Sequence, residues 1–263
     1  MSRIRQVSSV ARIACAVAIT APLVAGCSGA SDSATPAPST KSGSPSGGVA
    51  GSTPTPEPAR TPCPNPEGQA CLGNLAAGTY KTRVFHPAIT YTVPAGWKNY
   101  EDTPGNFLLV PPHGDLPGVN AGTSDFIGIY SSVAPPNGCE DGVASGAVAT
   151  PGGYRSWAAH QPGFRHPRFH HVKVGGMSGL VADLRLARGW TKTCIYSNGL
   201  PVQPMITGLG VSYLDHNVIA GQVTRLYLLD YLEGALAIEV VDIKDAHHLP
   251  GYSRLVQQLQ FGS

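Results

Sequence analysis

Charge is scarce in this chain. Asp, Glu, Lys and Arg together make up 13% of its 263 residues, and the aromatic residues only 7%. The signs nearly cancel, with 18 basic against 16 acidic side chains. No basic domain is therefore present to hold nucleic acid, and no polybasic run to hold anionic lipid. No apolar run reaches the roughly 20 residues that a membrane-spanning helix needs. The chain has no G-x-S-x-G nucleophile elbow, no G-x-x-x-x-G-K-[ST] phosphate loop and no dinucleotide fingerprint. C-x-x-C zinc spacing is missing as well. These absences remove the local signatures of the common enzyme classes, and no catalytic residue, cofactor or metal is expected.

What is present begins with an address. Arg3, Arg5 and Arg12 precede a mostly apolar stretch over residues 13–24, and small residues follow it. A positive flank, a short apolar core and small residues before a cut describe a secretory signal over residues 1–26. In Val24-Ala25-Gly26-Cys27 the small residues stand directly before a cysteine, and this resembles the lipobox of bacterial lipoproteins. That resemblance implies cleavage before Cys27, a diacylglycerol on its thiol and acylation of the new amino group. Two or more acyl chains make a stable anchor, where one is marginal. The expected location is the extracytoplasmic face of the cell membrane. Without the signal the chain keeps 15 basic against 16 acidic residues, a net charge near −1.

After Cys27 the sequence "SGASDSATPAPSTKSGSPSGGVAGSTPTPEPARTP" has almost no large apolar residue. Such a segment cannot bury enough surface to offset its ordering entropy, so a disordered tether is expected over residues 27–72. About 35 residues of flexible chain have an r.m.s. reach of about 30–35 Å. From Gly73 onward the composition is globular, and about 190 residues suffice for one domain with a sizeable core over residues 73–263.

Of six cysteines, Cys15 leaves with the signal and Cys27 is assigned to lipid. Cys63, Cys71, Cys139 and Cys194 remain, an even number in an exported chain, which implies disulfides. Sequence does not choose among the three pairings. The favoured set is Cys63–Cys71, closing a short loop, and Cys139–Cys194, tying distant segments together.

Strand signals dominate the domain. "TYKTRVF", "AITYTVPAGW", "NFLLVPP" and "DFIGIYSSV" are rich in β-branched and aromatic residues. "FHHVKVGGMSGLVADLRLA" reads as a hairpin turning at Gly175-Gly176, and "TRLYLLDYLEGALAIEVVDI" as a second one turning near Glu233-Gly234. In the second, Leu236, Ile238 and Val240 share one face, and Ala237, Glu239 and Val241 the other. "GGYRSWAAH" predicts a short helix around Trp157. The closing "GYSRLVQQLQF" predicts a helix with Leu255, Val256 and Leu259 on one face. Hairpins with a few segregated helices make an α+β domain, one antiparallel sheet with helices packed on it.

The segments "YTVPAGW", "SWAAHQPGF", "VKVGGMSGLVADL", "TRLYLLDY" and "LVQQLQF" resemble a set of actinobacterial secreted and lipid-anchored proteins of uncharacterised activity. Those are similar in turn to the PsbP-like α/β arrangement. The resemblance implies a fold, an antiparallel sheet with helices on its faces, and carries no catalytic residue.

Candidate site residues are few. His160, His166, His170 and His171 cluster, and His247 and His248 form a pair. Pro167 argues against a helix that would align His166 with His170, and on a strand His170 and His171 point to opposite faces. They read as surface histidines without a metal. "GGMSG" reads as a turn, its glycines supplying the turn conformation. Trp190, in the polar stretch "ARGWTKTC" beside Cys194, is the one candidate recognition residue, with core packing as its alternative role. The expected function is a membrane-anchored, non-catalytic binding module for an extracytoplasmic protein, cell-wall or small-molecule partner. The alternatives are a carrier of a lipid or other apolar ligand and a hydrolase without a local motif.

The anchor yields the first test. Cys27→Ala is expected to release the protein from the membrane fraction and to abolish labelling by a fatty-acid analogue. A variant that remains membrane-bound and labelled would place the anchor elsewhere.

Overall fold

The computed structural model describes residues 66–67, 70–209, 215–232, 234–244 and 246–262. The expected signal, Cys27, Cys63 and most of the expected tether lie outside the described residues. Strands β1 (Pro66–Glu67) and β2 (Ala70–Cys71) pair with each other. Then come β3 (Gly73–Asn74), β4 (Gly78–Lys81), β5 (Ile89–Val93), β6 (Lys98–Asp102) and β7 (Asn106–Val110). Helix α1 (Leu116–Ala121) precedes β8 (Phe126–Ala134), and α2 (Pro151–Ala158) precedes the hairpin of β9 (His170–Val174) and β10 (Met177–Leu184). Strands β11 (Val202–Gly208), β12 (Asp215–Ile219), β13 (Val223–Tyr231) and β14 (Gly234–Asp242) follow. The described chain closes with α3 (Leu249–Gln257) and β15 (Gln260–Phe261).

The fold is α+β. The main sheet runs β3-β6-β7-β8-β14-β13-β10-β9 in space, with β11 attached to β8 and β12 to β11. A smaller sheet, β15-β5-β4, stands beside it. The pairings are antiparallel. Among the described residues no helix is long and apolar enough to cross a membrane.

The central strands are apolar on both sides because both faces of the sheet are covered. On one face Ile127, Ile129, Tyr227, Leu229, Leu236 and Ile238 pack with Tyr91 of β5 and with Tyr252, Leu255 and Val256 of α3. On the other, Tyr130, Leu226, Leu228 and Ala237 pack with Tyr154 of α2 and with Met205, Ile206 and Val218 of the β11–β12 hairpin. A third, smaller cluster of Leu108, Val110, Phe126 and Val241 shares this second face. Each fully buried Leu, Ile or Phe contributes about 1.5–3 kcal/mol relative to exposure.

Both expected hairpins form. Gly175 and Gly176 turn the first with φ of +55° and +91°, values that favour glycine. Tyr231 stands opposite Gly234 in the second. Cys139 and Cys194 are joined in a disulfide across 55 residues, worth about 4 kcal/mol in the chain-entropy model. Cys71 is buried and disulfide-bonded, while its expected partner Cys63 lies outside the described residues. The β1–β2 ladder and buried Cys71 precede the expected boundary at Gly73.

Other expectations are corrected. The strand read in "TYKTRVF" stops at Lys81, because residues 83–85 turn their amides onto one carboxylate instead of a neighbouring strand. Asp102, buried at the end of β6, accepts from Arg83 N (2.8 Å), Val84 N (3.2 Å) and Phe85 N (2.8 Å). Helix α1 was not anticipated, although Asp115 caps it by accepting from Gly118 N at 2.6 Å and Gly122 ends it at φ +69°. The β11–β12 hairpin was also missed, since Pro204 inside a strand reads as a breaker, and a register shift between Pro204 and Ile206 accommodates it.

Removing the Asp102 carboxylate strands three amides. Asp102→Ala is expected to destabilise the domain by about 3 kcal/mol, read by chemical denaturation. A loss below about 1 kcal/mol would mean that water replaces the carboxylate at no great penalty.

Candidate functional site

Among the described residues four acidic side chains are buried: Asp102, Asp125, Glu239 and Asp242. Three of them are occupied by backbone amides. Asp102 accepts the three described above, Asp242 accepts from the amides of Lys244, His248 and Leu249, and Asp125 accepts from that of Ile243. Glu239 has a different environment. It sits in the middle of β14, 1% exposed, in register with Leu226 of β13 and Gly128 of β8. Strand amides there are committed to the ladder, so only other side chains or a ligand can compensate the carboxylate.

Two side chains approach it. His216 of β12 brings Nδ1 to 2.7 Å from Oε2 of Glu239. This contact pairs the imidazole with the carboxylate, and no other hydrogen bond from the described residues reaches Oε2. Tyr130 brings its phenol to Glu239 as a hydrogen-bond donor. Burial first, then the charges of Glu239 and Glu101, raises the Tyr130 phenol well above its ordinary value, so it remains a protonated donor. Its ring lies 4.3 Å from that of His216, centroid to centroid.

The sequence makes room for this arrangement at one position. Tyr130 folds back along β8 over Gly128, where an added Cβ would stand 1.9 Å from the phenol oxygen and 2.4 Å from Cζ. Glycine in a strand interior marks such a close approach. Beyond Tyr130 the strand bends. Ser132 takes φ +58°, the β14 register shifts between Ala235 and Ala237, and β11 pairs with the freed end of β8. A bulge of this kind re-aims side chains, and here it sets Ser131 and Ser132 along a cleft.

That cleft, about 850 Å³ and open to solvent, has Glu239, Tyr130 and His216 in its lining together with Glu101, Asn106 and Gln222. Glu101 comes from β6, opposite Leu108 of β7. Burial pushes its carboxyl up, and the nearby His216 pulls the other way. The cleft therefore presents two carboxylates, one imidazole and several amides to a bound molecule. A ligand donating hydrogen bonds or carrying positive charge would compensate them.

The residues singled out in sequence lie elsewhere. Trp190 is half-buried and outside the cleft lining. Its Nε1 donates to Val202 O at 2.8 Å, and Lys192 Nζ stands 5.3 Å from its ring centroid. It fastens the loop after β10 to the start of β11. His160, His166, His170 and His171 are exposed, and among the described residues they join no group of converging metal-type ligands. His247 is exposed, whereas His248 reaches Asp125 together with His113 and Tyr252. Ser178 of "GGMSG" is an exposed strand residue. Neither Glu239 nor His216 was marked as a site residue in the sequence. The available signals were an isolated Glu inside "ALAIEVV" and a lone Gly inside "FIGIY".

No known protein family matches the chain, and no curated protein matches it. Among solved structures it is similar to a protein of Bacteroides thetaiotaomicron VPI-5482, with 11% identity and a TM-score of 0.32. That match covers 66% of this chain and 45% of the other, less than half of that protein's length. It is also similar to the cyanobacterial PsbP (CyanoP) of Synechocystis sp. PCC 6803, with 9% identity, a TM-score of 0.33 and coverage of 71% and 94%. These likenesses concern the fold and carry nothing about the site.

Gly128→Ala is expected to displace Tyr130 from Glu239 and to destabilise the domain by about 1–3 kcal/mol, as overpacking does. Gly152→Ala, in the first turn of α2 with nothing within 4 Å of the added carbon, is expected to be neutral or stabilising by up to about 1 kcal/mol. Equal thermal-melt shifts for the two variants would contradict the packing described.

Proposed function

We propose that this protein is a membrane-anchored extracytoplasmic binding module, held by lipid on Cys27, whose cleft takes a small polar molecule bearing a cationic group such as an ammonium or guanidinium. The observation that carries the reading is Glu239, a carboxylate buried at the cleft among apolar neighbours, with the His216 imidazole and the Tyr130 phenol as its side-chain partners. An ionised carboxylate has about four acceptor sites, so two side-chain partners leave it able to accept from a ligand as well. Glu101 in the same lining adds a second negative group. A carrier of apolar ligands fits less well, because hydrocarbon in a cleft lined by Glu101, Glu239, His216, Asn106 and Gln222 would leave polar groups that now face solvent without partners.

A second reading, a hydrolase without a local motif, is favoured by one observation. His216 is paired with a buried carboxylate, a pairing from which an imidazole can act as a general base, and Ser131 and Ser132 line the same cleft. Turnover of simple ester or amide substrates, lost in His216→Gln, would select this reading over binding alone.

Calorimetry of the full chain with butylamine and ethylguanidine, against glycerol and acetate, tests the binding reading. The cations are expected to bind and the controls not. Glu239→Gln is expected to weaken the cations at least tenfold, about 1.4 kcal/mol. Equal affinity in Glu239→Gln, or binding of glycerol or acetate in preference to the cations, would refute it.

A further inference from the structure

The two flanks of α1 and the distant start of α3 bring two imidazoles and a carboxylate to one point, apart from the cleft. Oδ2 of Asp125 lies 3.1 Å from Nε2 of His113 and 2.9 Å from Nδ1 of His248. These three atoms all fall within 4.8 Å of one another. Oη of Tyr252 stands 2.8 Å from the same Oδ2 and 3.3 Å from Nε2 of His113.

Each group is held from behind. The other oxygen of Asp125 accepts from Ile243 N at 2.9 Å. The loop of His113 is clamped by Lys98, whose ammonium donates to the carbonyls of Pro112 (3.1 Å) and Gly114 (2.6 Å). Gly114 allows that loop to press onto Ser124, whose Oγ would stand 2.3 Å from an added Cβ. The backbone amide of His248 donates to Asp242 at 2.6 Å, which fixes the imidazole at the start of α3. Trp97 packs edge-on against Tyr252, with ring centroids 5.6 Å apart.

A structural fastener needs fewer groups than this. One carboxylate oxygen has room for two donors, yet Oδ2 faces three. The His113 side chain, 52% exposed, gains little burial by coming there.

We propose that Nε2 of His113, Oδ2 of Asp125 and Nδ1 of His248 bind one divalent ion of the zinc class, with Tyr252 or a solvent molecule in the remaining position. Zinc takes such nitrogen and oxygen ligands at about 2.0–2.2 Å, which places neighbouring ligand atoms of a tetrahedron about 3.3 Å apart. The two contacts to Asp125, 2.9 and 3.1 Å, need a slight opening, and the two imidazole nitrogens, within 4.8 Å of each other, a rotation toward the same spacing. Two imidazoles with one carboxylate suit zinc, iron, nickel or copper rather than calcium or magnesium.

Zinc titration of the full chain against a chromophoric chelator tests this, with cobalt(II) absorption reporting the geometry. One equivalent is expected to bind, with the intense visible bands of four-coordinate cobalt. His113→Ala and His248→Ala are each expected to weaken zinc by more than about 100-fold, beyond what loss of an outer partner costs. Tyr252→Phe should shift the cobalt spectrum if the phenol is the fourth ligand and leave it unchanged if solvent is. His166→Ala/His170→Ala should leave affinity unaltered. If His248→Ala fails to fold by near-ultraviolet circular dichroism, His113→Ala, on a half-exposed loop, decides. Absence of stoichiometric uptake, or uptake unchanged in His113→Ala, would overturn the proposal.

Discussion

A carboxylate in the middle of a sheet covered on both faces is the constraint on which the functional half of this structure turns. Glu239 is placed where neighbouring positions are apolar and the strand amides are already paired. Everything about its surroundings answers that placement. Gly128 opens the space opposite, Tyr130 folds across it to donate, and the β11–β12 hairpin brings His216 over the top. The bulge in β8 that permits the hairpin to attach also opens the cleft. A Leu in place of Glu239 would satisfy the core more simply, so the retained charge calls for a role beyond packing.

Comparison with the other buried acids sharpens the point. In a chain with so little charge, Asp102, Asp125 and Asp242 act on the backbone. Asp102 folds residues 83–85, Asp242 starts α3, and Asp125 ties Ile243 to the strand that precedes it in the sheet. Each has at least one amide donor. Glu239 has side chains only, the Tyr130 phenol and the His216 imidazole. The Asp125 group differs in the opposite sense, having more donors than a fastener uses. Deficit at one carboxylate and excess at another mark two separate sites.

The elements legible in the sequence were those written locally. Alternation and a Gly-Gly pair placed the β9–β10 hairpin, the apolar runs about residue 233 placed β13 and β14, and Leu255 and Val256 placed α3, although the helix ends at Gln257, leaving Leu259 beyond it and Gln260–Phe261 free to pair with β5 as a strand. An even cysteine count pointed to disulfides without choosing among the pairings, and Cys139–Cys194, one of the favoured pair, forms. The sites were not legible for a physical reason: their members meet only through tertiary structure. His113, Asp125 and His248 come from three segments, and Glu239 meets His216 across two hairpins. The conspicuous histidines at 160–171 were close in sequence and remained on the surface. Asp102 shows the same limit in the fold itself, since a distant carboxylate converts a good strand sequence into a turn.

The central claim, that Glu239 awaits a cationic partner, is tested most directly by carbon-13 NMR of the protein labelled at glutamate side-chain carboxyls. On titration with ethylguanidine, the resonances of Glu239 and Glu101 should move together and saturably, while those of exposed glutamates such as Glu140 stay in place. Resonances of Glu239 and Glu101 that remain fixed through saturating ligand, or that move no more than that of Glu140, would contradict the account.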